Sequence, residues 1–375
     1  MRFAFTIFKY FPHGGLQRDC LEIAQTCRQR GHDVTLFTME WEGPVPSGLR
    51  VCVVSPKGFT NHGRCISFVR QILPVLKRES FDVVVGFNKM PGLDIYFAGD
   101  SCYADQSRRN HMCRWSPYYW ATPRFRQYSA LERAVFSPQS PTEILLLTAS
   151  QQETYRTHYG TPANRFHVLP PGICQDRKPA HDATDIRTDI RNSFLRNSEE
   201  LLLLAVGADA KRKGLDRTIH ALSALPTEVR SKTRLVAVGE RRTLPFERLA
   251  RRLSVSDRIT LLPPRTDIPR FFHGADLLVH PAHSEAGGTV LLESMAYGLP
   301  VLATDVCGYS KYVEASQSGF IIPSPFQQQY MNNSLHYLLT ASQLQSLSHN
   351  ARAFAHSTIL HSRSEHIATI IESRS

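Results

Sequence analysis

Two α/β domains, each built on a doubly wound parallel sheet, are the fold that the sequence predicts. Three observations carry it. Short apolar runs alternate with helix-period segments from the start of the chain, the alternation breaks at Pro170-Pro171-Gly172 and restarts, and glycines stand where strands pass into helices. With 375 residues, 42% of them hydrophobic and 21% charged, the chain has the apolar content to bury two sizeable cores.

In the first half, residues 3–8, 34–38, 51–55 and 81–87 read as buried strands, and residues 16–30 and 66–78 as amphipathic helices between them. The opening run Met1-Arg2-Phe3-Ala4-Phe5-Thr6-Ile7-Phe8 has a charge inside a short apolar stretch and no small-residue cleavage site, so it reads as a first strand rather than a signal peptide. The first strand-to-helix turn is His13-Gly14-Gly15-Leu16. Glycines at such a turn either make it tight or leave room for a ligand at the carboxyl end of the strand. A strand over 94–98 precedes Asp100, and a second strand-rich region at 143–149 and 166–169 ends in the proline-glycine hinge, which places the first domain at 1–169.

The rhythm restarts with strands at 201–206, 235–238, 259–262 and 275–279 and helices at 215–225, 246–253 and 267–273, giving a second Rossmann-like domain over 170–350. Residues 327–375 are helical in pattern, and the tail, 351–375, is expected to pack back on the first domain.

Two stretches of the second domain carry chemistry. After the strand at 275–279 come Glu285-Ala286-Gly287-Gly288-Thr289, where the glycines leave helix-start N–H groups open and the helix dipole favours a phosphate. Glu285 precedes that turn and Glu293 lies about a turn and a half into the helix, so the carboxylates flank the phosphate position and suit hydroxyls, one set on a sugar and one on a ribose. The plainer alternative is that Glu285 caps the helix and Glu293 is a solvated residue. The other stretch, Gly207-Ala208-Asp209-Ala210-Lys211-Arg212-Lys213-Gly214, sets three cations at the carboxyl end of a strand, either to meet phosphate or as a solvated basic loop. Its glycine spacing is not that of a Walker A loop.

A formal net charge of +11 implies a polyanionic partner, whether nucleic acid, an anionic membrane or a phosphorylated substrate. Eight cysteines without C-x-x-C or zinc spacing, and no 18-residue uncharged apolar window, point to a reducing cytoplasm and to no transmembrane span. No RNA-binding signature or recognition-helix motif accompanies the basic charge, which disfavours nucleic acid.

With Glu285 and Glu293 as an E-x7-E pair, the run from Gly207 to Gly214 and the Gly14-Gly15 turn in order, the chain resembles the retaining glycosyltransferases of family 4, with the GT-B architecture of two facing Rossmann-like domains. The likeness is strongest to members that build the lipopolysaccharide core of Gram-negative bacteria, in Lys9-Tyr10-Phe11-Pro12, Gly86-Phe87-Asn88-Lys89-Met90-Pro91-Gly92 and Leu169-Pro170-Pro171-Gly172-Ile173. It is weakest over 104–139 and beyond 325. The resemblance implies transfer of glucose from UDP-glucose to an inner-core heptose on a lipid-anchored acceptor, or the use of another donor or acceptor by a related enzyme. It implies that Gly15, Arg212 and Lys213, with Arg177 nearby, hold the donor diphosphate, and that Arg265 lies in the loop facing the uracil. Glu285, Ala286, Gly288 and Thr289 would line the donor sugar and diphosphate, Glu293 the ribose, and Asp100 would be an acid on the acceptor side, where many members carry a histidine.

No D-x-D motif occurs, so no metal and no cofactor is expected, Arg212 and Lys213 neutralising the leaving group instead. Retention is implied through attack guided by the leaving phosphate, with Glu285 as a covalent nucleophile the rival. In residues 103–133 arginines are interleaved with Tyr, Trp and Phe, a composition suited to docking on the anionic inner leaflet of the membrane, or to aromatics packing on the first domain in an acceptor-side loop.

Overall fold

The computed structural model describes residues 1–111, 117–179, 183–359 and 363–374. They fall into two compact units, Met1–Pro170 with Arg363–Ser375, and Pro171–Ser362.

The first unit contains strands β1 (Arg2–Thr6), β2 (Lys9–Tyr10), β3 (Asp33–Thr38), β4 (Glu40–Trp41), β5 (Arg50–Val53), β6 (Val83–Gly86), β7 (Ile95–Ala98), β8 (Glu143–Leu146) and β9 (Phe166–Val168). Seven of them form a parallel sheet in the order β5-β3-β1-β6-β7-β8-β9, and β2 pairs with β4 as a separate short ribbon. The direction of growth reverses at β1 and β6, the pattern of a doubly wound sheet, which carries helices on both faces. That double cover explains why Val83–Gly86 and Ile95–Ala98 are buried at every position instead of alternating.

Helices α1 (Gly15–Gln29), α2 (Asn61–Arg78), α3 (Tyr103–His111), α4 (Pro117–Ala121), α5 (Pro123–Phe136) and α6 (Ala149–Tyr159) supply the cover. The α2 helix begins five residues ahead of the expected start at 66, because Thr60 caps it by accepting from Gly63 N at 3.2 Å, and its first turn is too polar to register as periodic. The strand expected over 143–149 stops at Leu146, where Thr148 and Gln151 make a capping box that opens α6. β8 and β9 are outer strands of the first sheet, not a second strand-rich region.

The second unit runs α7 (Ala183–Phe194), β10 (Leu201–Val206), α8 (Leu215–Ser223), α9 (Thr227–Ser231), β11 (Thr233–Val238), α10 (Leu244–Arg252), β12 (Ile259–Leu262), α11 (Ile268–Gly274), β13 (Leu277–His280), α12 (Thr289–Ala296), β14 (Val301–Thr304), α13 (Ser310–Ala315), β15 (Gly319–Ile322), α14 (Gln328–Thr340) and α15 (Leu344–Phe354). Its parallel sheet has the order β12-β11-β10-β13-β14-β15, with the reversal between β10 and β13.

The chain's return to the first unit begins at Arg363, not at residue 351. α15 stays in the second unit, packed on α12 with Ala351 fully buried. Only α16 (Arg363–Ser373) lies on α1, where Arg363 pairs with buried Asp19, Arg30 reaches Glu372 at 2.8 Å, and His32 meets Glu372 at 2.8 Å.

Candidate active site

The carboxyl ends of β10 and β13, neighbours at the reversal of the second sheet, give rise to the two loops that the sequence singles out. Gly214 lets them touch. At φ +80° it is left-handed, and a Cβ there would stand 2.0 Å from the Pro281 carbonyl oxygen. His283 N then donates to Arg212 O at 2.8 Å, tying loop to loop. Gly288, also left-handed at φ +83°, is the N-cap of α12, and no side chain caps that helix.

Glu285 is therefore not a helix cap. Its Oε2 lies against Lys213 Nζ and 3.3 Å from Arg212 Nη1, which also donates to Ser284 O at 3.0 Å. Lys211, the third cation of the run, turns away to Asp216 with its side chain 70% exposed. The basic loop thus delivers two cations to the site. Glu293 is buried rather than solvated, and its charge acts on Lys213 and on Tyr297. Ala286 is buried beside Glu285, and Thr289 opens α12.

Burial, then the neighbouring Arg212 guanidinium, push Lys213 down to about 7. The carboxylate resting on it pulls the other way. Burial and the same two cations keep His280 far below its ordinary value, hence neutral. Burial raises the Cys307 thiol to about 11, opposed by Lys213. Sequence reasoning assigned no role to His280 or Cys307. The one signal for His280 is its place as last residue of a strand at the sheet's carboxyl edge.

Of the remaining predicted residues, Arg177 and Arg265 belong to the second unit. Arg177 is buried, and its charge acts with that of Glu293 on Tyr297. Arg265, in the loop after β12, forks onto Asp267 at 2.7 Å twice and lies 5.5 Å over Phe271. Gly15 and Asp100 belong to the first unit. Gly15 is the first residue of α1 with open space where a Cβ would be, and exposed Asp100 follows β7. Gly99 packs so close to Leu16 that a Cβ on it would meet Leu16 Cδ1 at 2.5 Å, so the loop after β7 and the start of α1 are neighbours.

Behind that loop is an ion pair that sequence reasoning missed. Lys89 Nζ sits 2.7 Å from Glu132 Oε1 and donates to Ser101 O at 2.8 Å. Glu132 also accepts from Tyr103 N at 2.7 Å, Ala104 N at 2.9 Å and the Tyr159 hydroxyl at 2.5 Å. Burial pushes its carboxyl up, but Lys89 and these donors hold it below the usual carboxylate range.

Of the stretch 103–133, residues 112–116, with Cys113, Arg114 and Trp115, lie outside the described residues. Tyr103, Tyr119, Phe125 and Tyr128 pack on one another, whereas Arg108, Arg124 and Arg126 are exposed and Trp120 is 39% exposed. Among the described residues no helix is long and apolar enough to cross a membrane, and no group of three His, Cys, Asp or Glu is placed to hold a metal ion.

Comparison with known proteins agrees with this geometry. Residues 186–354 match the model for Glycosyl transferases group 1, and residues 13–177 that for Glycosyltransferase Family 4. Over 369 residues the chain is 42% identical to the lipopolysaccharide glucosyltransferase WaaG of Escherichia coli K12, covering 98% of each. The crystal structure of WaaG, a glycosyltransferase involved in lipopolysaccharide biosynthesis, matches with a TM-score of 0.93 at 42% identity over 98% of this chain and 99% of that one. Anabaena HepE, solved in complex with UDP-glucose, shares the fold at a TM-score of 0.75 and 16% identity, over all of both chains. Two Rossmann-like units of the GT-B class, a basic cluster at the second sheet's reversal and this full-length likeness make the chain a glycosyltransferase, and it belongs to family 4.

Proposed function

We propose that the chain transfers glucose from UDP-glucose to a heptose of the lipopolysaccharide inner core, with retention and without a divalent metal. The observation that carries this reading is the gathering of Arg212 and Lys213 on Glu285 beside the uncapped start of α12. In the transfer, the bond from glucose C1 to the diphosphate oxygen breaks and one from C1 to the acceptor oxygen forms, the acceptor's proton leaving with the diphosphate. Charge develops on the departing oxygen. Two cations and the open N–H groups at Gly288 and Thr289 are the preorganised groups that neutralise it, so no metal is required. The leaving phosphate itself guides attack from its own face.

Glu285 accepts from sugar hydroxyls and Glu293 from the ribose, while Arg177 supports the Glu293 end. Gly15 approaches the diphosphate, Arg265 lies on the uracil side and Asp100 on the acceptor side. Support for donor and acceptor comes from the names of the relatives: WaaG is a lipopolysaccharide glucosyltransferase, and HepE binds UDP-glucose. The enzyme acts at the cytoplasmic face of the inner membrane, docked through 103–133 near its lipid-anchored acceptor.

The test is turnover of UDP-glucose with a purified heptose-terminated core acceptor, followed by UDP release and product mass, with and without EDTA. Transfer that survives EDTA is expected, as is a thermal shift with UDP-sugars but not with GDP- or ADP-sugars. Arg212→Ala and Lys213→Ala should each slow transfer roughly 10²- to 10³-fold, the scale for removing one preorganised stabiliser. Activity lost on chelation and restored by magnesium or manganese ends the metal-free part. No UDP release with any core acceptor ends the whole reading.

A further inference from the structure

His280 is the last residue of β13, paired in register with Ala303 of β14, and its carbonyl accepts from Ala282 N at 2.9 Å, so its position is set by the sheet. It is 1% exposed, and its Nε2 has no hydrogen-bond partner. A buried ring nitrogen without a partner is uncommon and calls for a reason. Glu285 Oε2 lies 3.8 Å from that nitrogen, beyond hydrogen-bond reach but about 1 Å from it.

Oε2 is at present occupied by Lys213 and Arg212. On the reading above, the donor diphosphate draws both cations toward its own oxygens. Glu285, with its side chain only 10% exposed, would then be a nearly dry carboxylate short of donors, which is costly. A neutral imidazole has one N–H to give, and His280 is kept neutral by its burial and by the same two cations.

We infer that His280 is a positioning residue for Glu285: when the diphosphate takes Arg212 and Lys213, the Nε2–H of His280 takes their place on Oε2 and holds the carboxylate toward the donor sugar. This rests on Glu285 being the sugar-side carboxylate. It explains why a histidine stands at a strand end where an apolar residue would fill the space as well.

The experiment compares wild type with His280→Phe, which fills the space without the N–H, and His280→Gln, which keeps an N–H near the same place. Kd for UDP and for UDP-glucose, kcat, KM and melting temperature are measured for each. Wild type should bind UDP-glucose more tightly than UDP. His280→Phe should keep its UDP Kd within about twofold, lose the preference for UDP-glucose and drop kcat roughly 10- to 100-fold, the scale of one hydrogen bond to a charged group. His280→Gln should recover kcat to within about fivefold of wild type. Where the Phe variant does not fold, His280→Leu carries the same comparison. A Phe or Leu variant with turnover near wild type overturns the assignment, as does UDP binding that falls in step with turnover in all variants, which marks a packing role. A wild type that binds UDP and UDP-glucose equally overturns the sugar-side reading of Glu285 itself.

Discussion

Lys213 rests its ammonium on Oε2 of Glu285, and the two residues come from loops that follow neighbouring strands, β10 and β13. Their side chains are only 18% and 10% exposed. The desolvation of the cation is thus already met by the fold, and a diphosphate entering at the start of α12 meets an ammonium with little water to shed.

A proton should therefore accompany the donor. Burial and the Arg212 guanidinium push Lys213 down to about 7, and a diphosphate beside it raises it toward the ordinary lysine range. Well below pH 7 the free and bound forms are both charged, so Lys213 makes affinity independent of pH there. As pH rises through 7 the free protein loses the proton that the complex keeps, so UDP affinity falls by up to about tenfold per pH unit until the bound form titrates. Calorimetry at pH 8 in two buffers of different ionisation enthalpy should report uptake of about 0.9 proton, as expected for a group titrating near 7. Heats that do not depend on the buffer mean that Glu285 already holds the ammonium fully charged.

Glu285→Gln and Glu293→Gln should fail differently. Sugar contacts strengthen as the C1 bond breaks, whereas ribose contacts are the same in ground and transition states. Glu285→Gln should lower kcat at least about 100-fold, since it also removes the carboxylate on which Lys213 rests, and Glu293→Gln should mainly raise the donor KM, by about tenfold. Equal losses of kcat with unchanged KM mean that the sugar and ribose ends are assigned wrongly.

The parts of this site that could be read from the chain are those where chemistry is contiguous. Leu201–Val206 is a central strand, buried at Leu202, Leu203 and Leu204, that shows as an unbroken apolar run, and Arg212, Lys213, Glu285 and Gly288 stand in the loops that follow strand ends. What could not be read depends on contacts between distant residues. Nothing local says that Lys211 turns to Asp216 while Lys213 turns to Glu285, 72 residues on. A lone histidine in an apolar strand reads as core, so His280 went unassigned. Both α15 and α16 are amphipathic, and which one returns to the first unit is decided by Arg363 meeting Asp19, 344 residues away.

The buried pair of Lys89 and Glu132 yields a stability prediction. Glu132→Ala strips Lys89 of its partner and orphans the N–H groups of Tyr103 and Ala104, which should cost about 3–5 kcal/mol, as when one half of a buried pair is removed. The double variant Lys89→Met with Glu132→Leu should recover much of that, since no buried charge is left uncompensated. The carboxyl of Glu132 is held below its unfolded value, so its contribution is present above the unfolded carboxylate range and is lost as pH falls through the folded one. Urea titrations at pH 7 check this, and a Glu132→Ala variant as stable as wild type contradicts it.

The arginines of 103–133 should hold the protein on anionic bilayers. Arg108, Arg124 and Arg126 are exposed, and Trp120 is 39% exposed although it packs edge-on to Phe125 at 4.6 Å, so what this stretch offers is mainly charge. Each arginine near an anionic surface is worth about 1 kcal/mol, so Gln at 108, 109, 114, 124 and 126 together should remove about 5 kcal/mol, roughly 4,000-fold in affinity. Wild type should sediment with vesicles containing phosphatidylglycerol and not with zwitterionic ones, and salt should release it, because attraction between exposed charges is screened within about a nanometre. The five-Gln variant should stay in the supernatant while its UDP-glucose Kd is unchanged, since Arg212, Lys213 and Glu285 belong to the other unit. Adding RNA to the wild-type sample should not compete the vesicles off if the surface is built for a bilayer. Vesicle binding that survives all five substitutions assigns membrane contact to some other face of the protein.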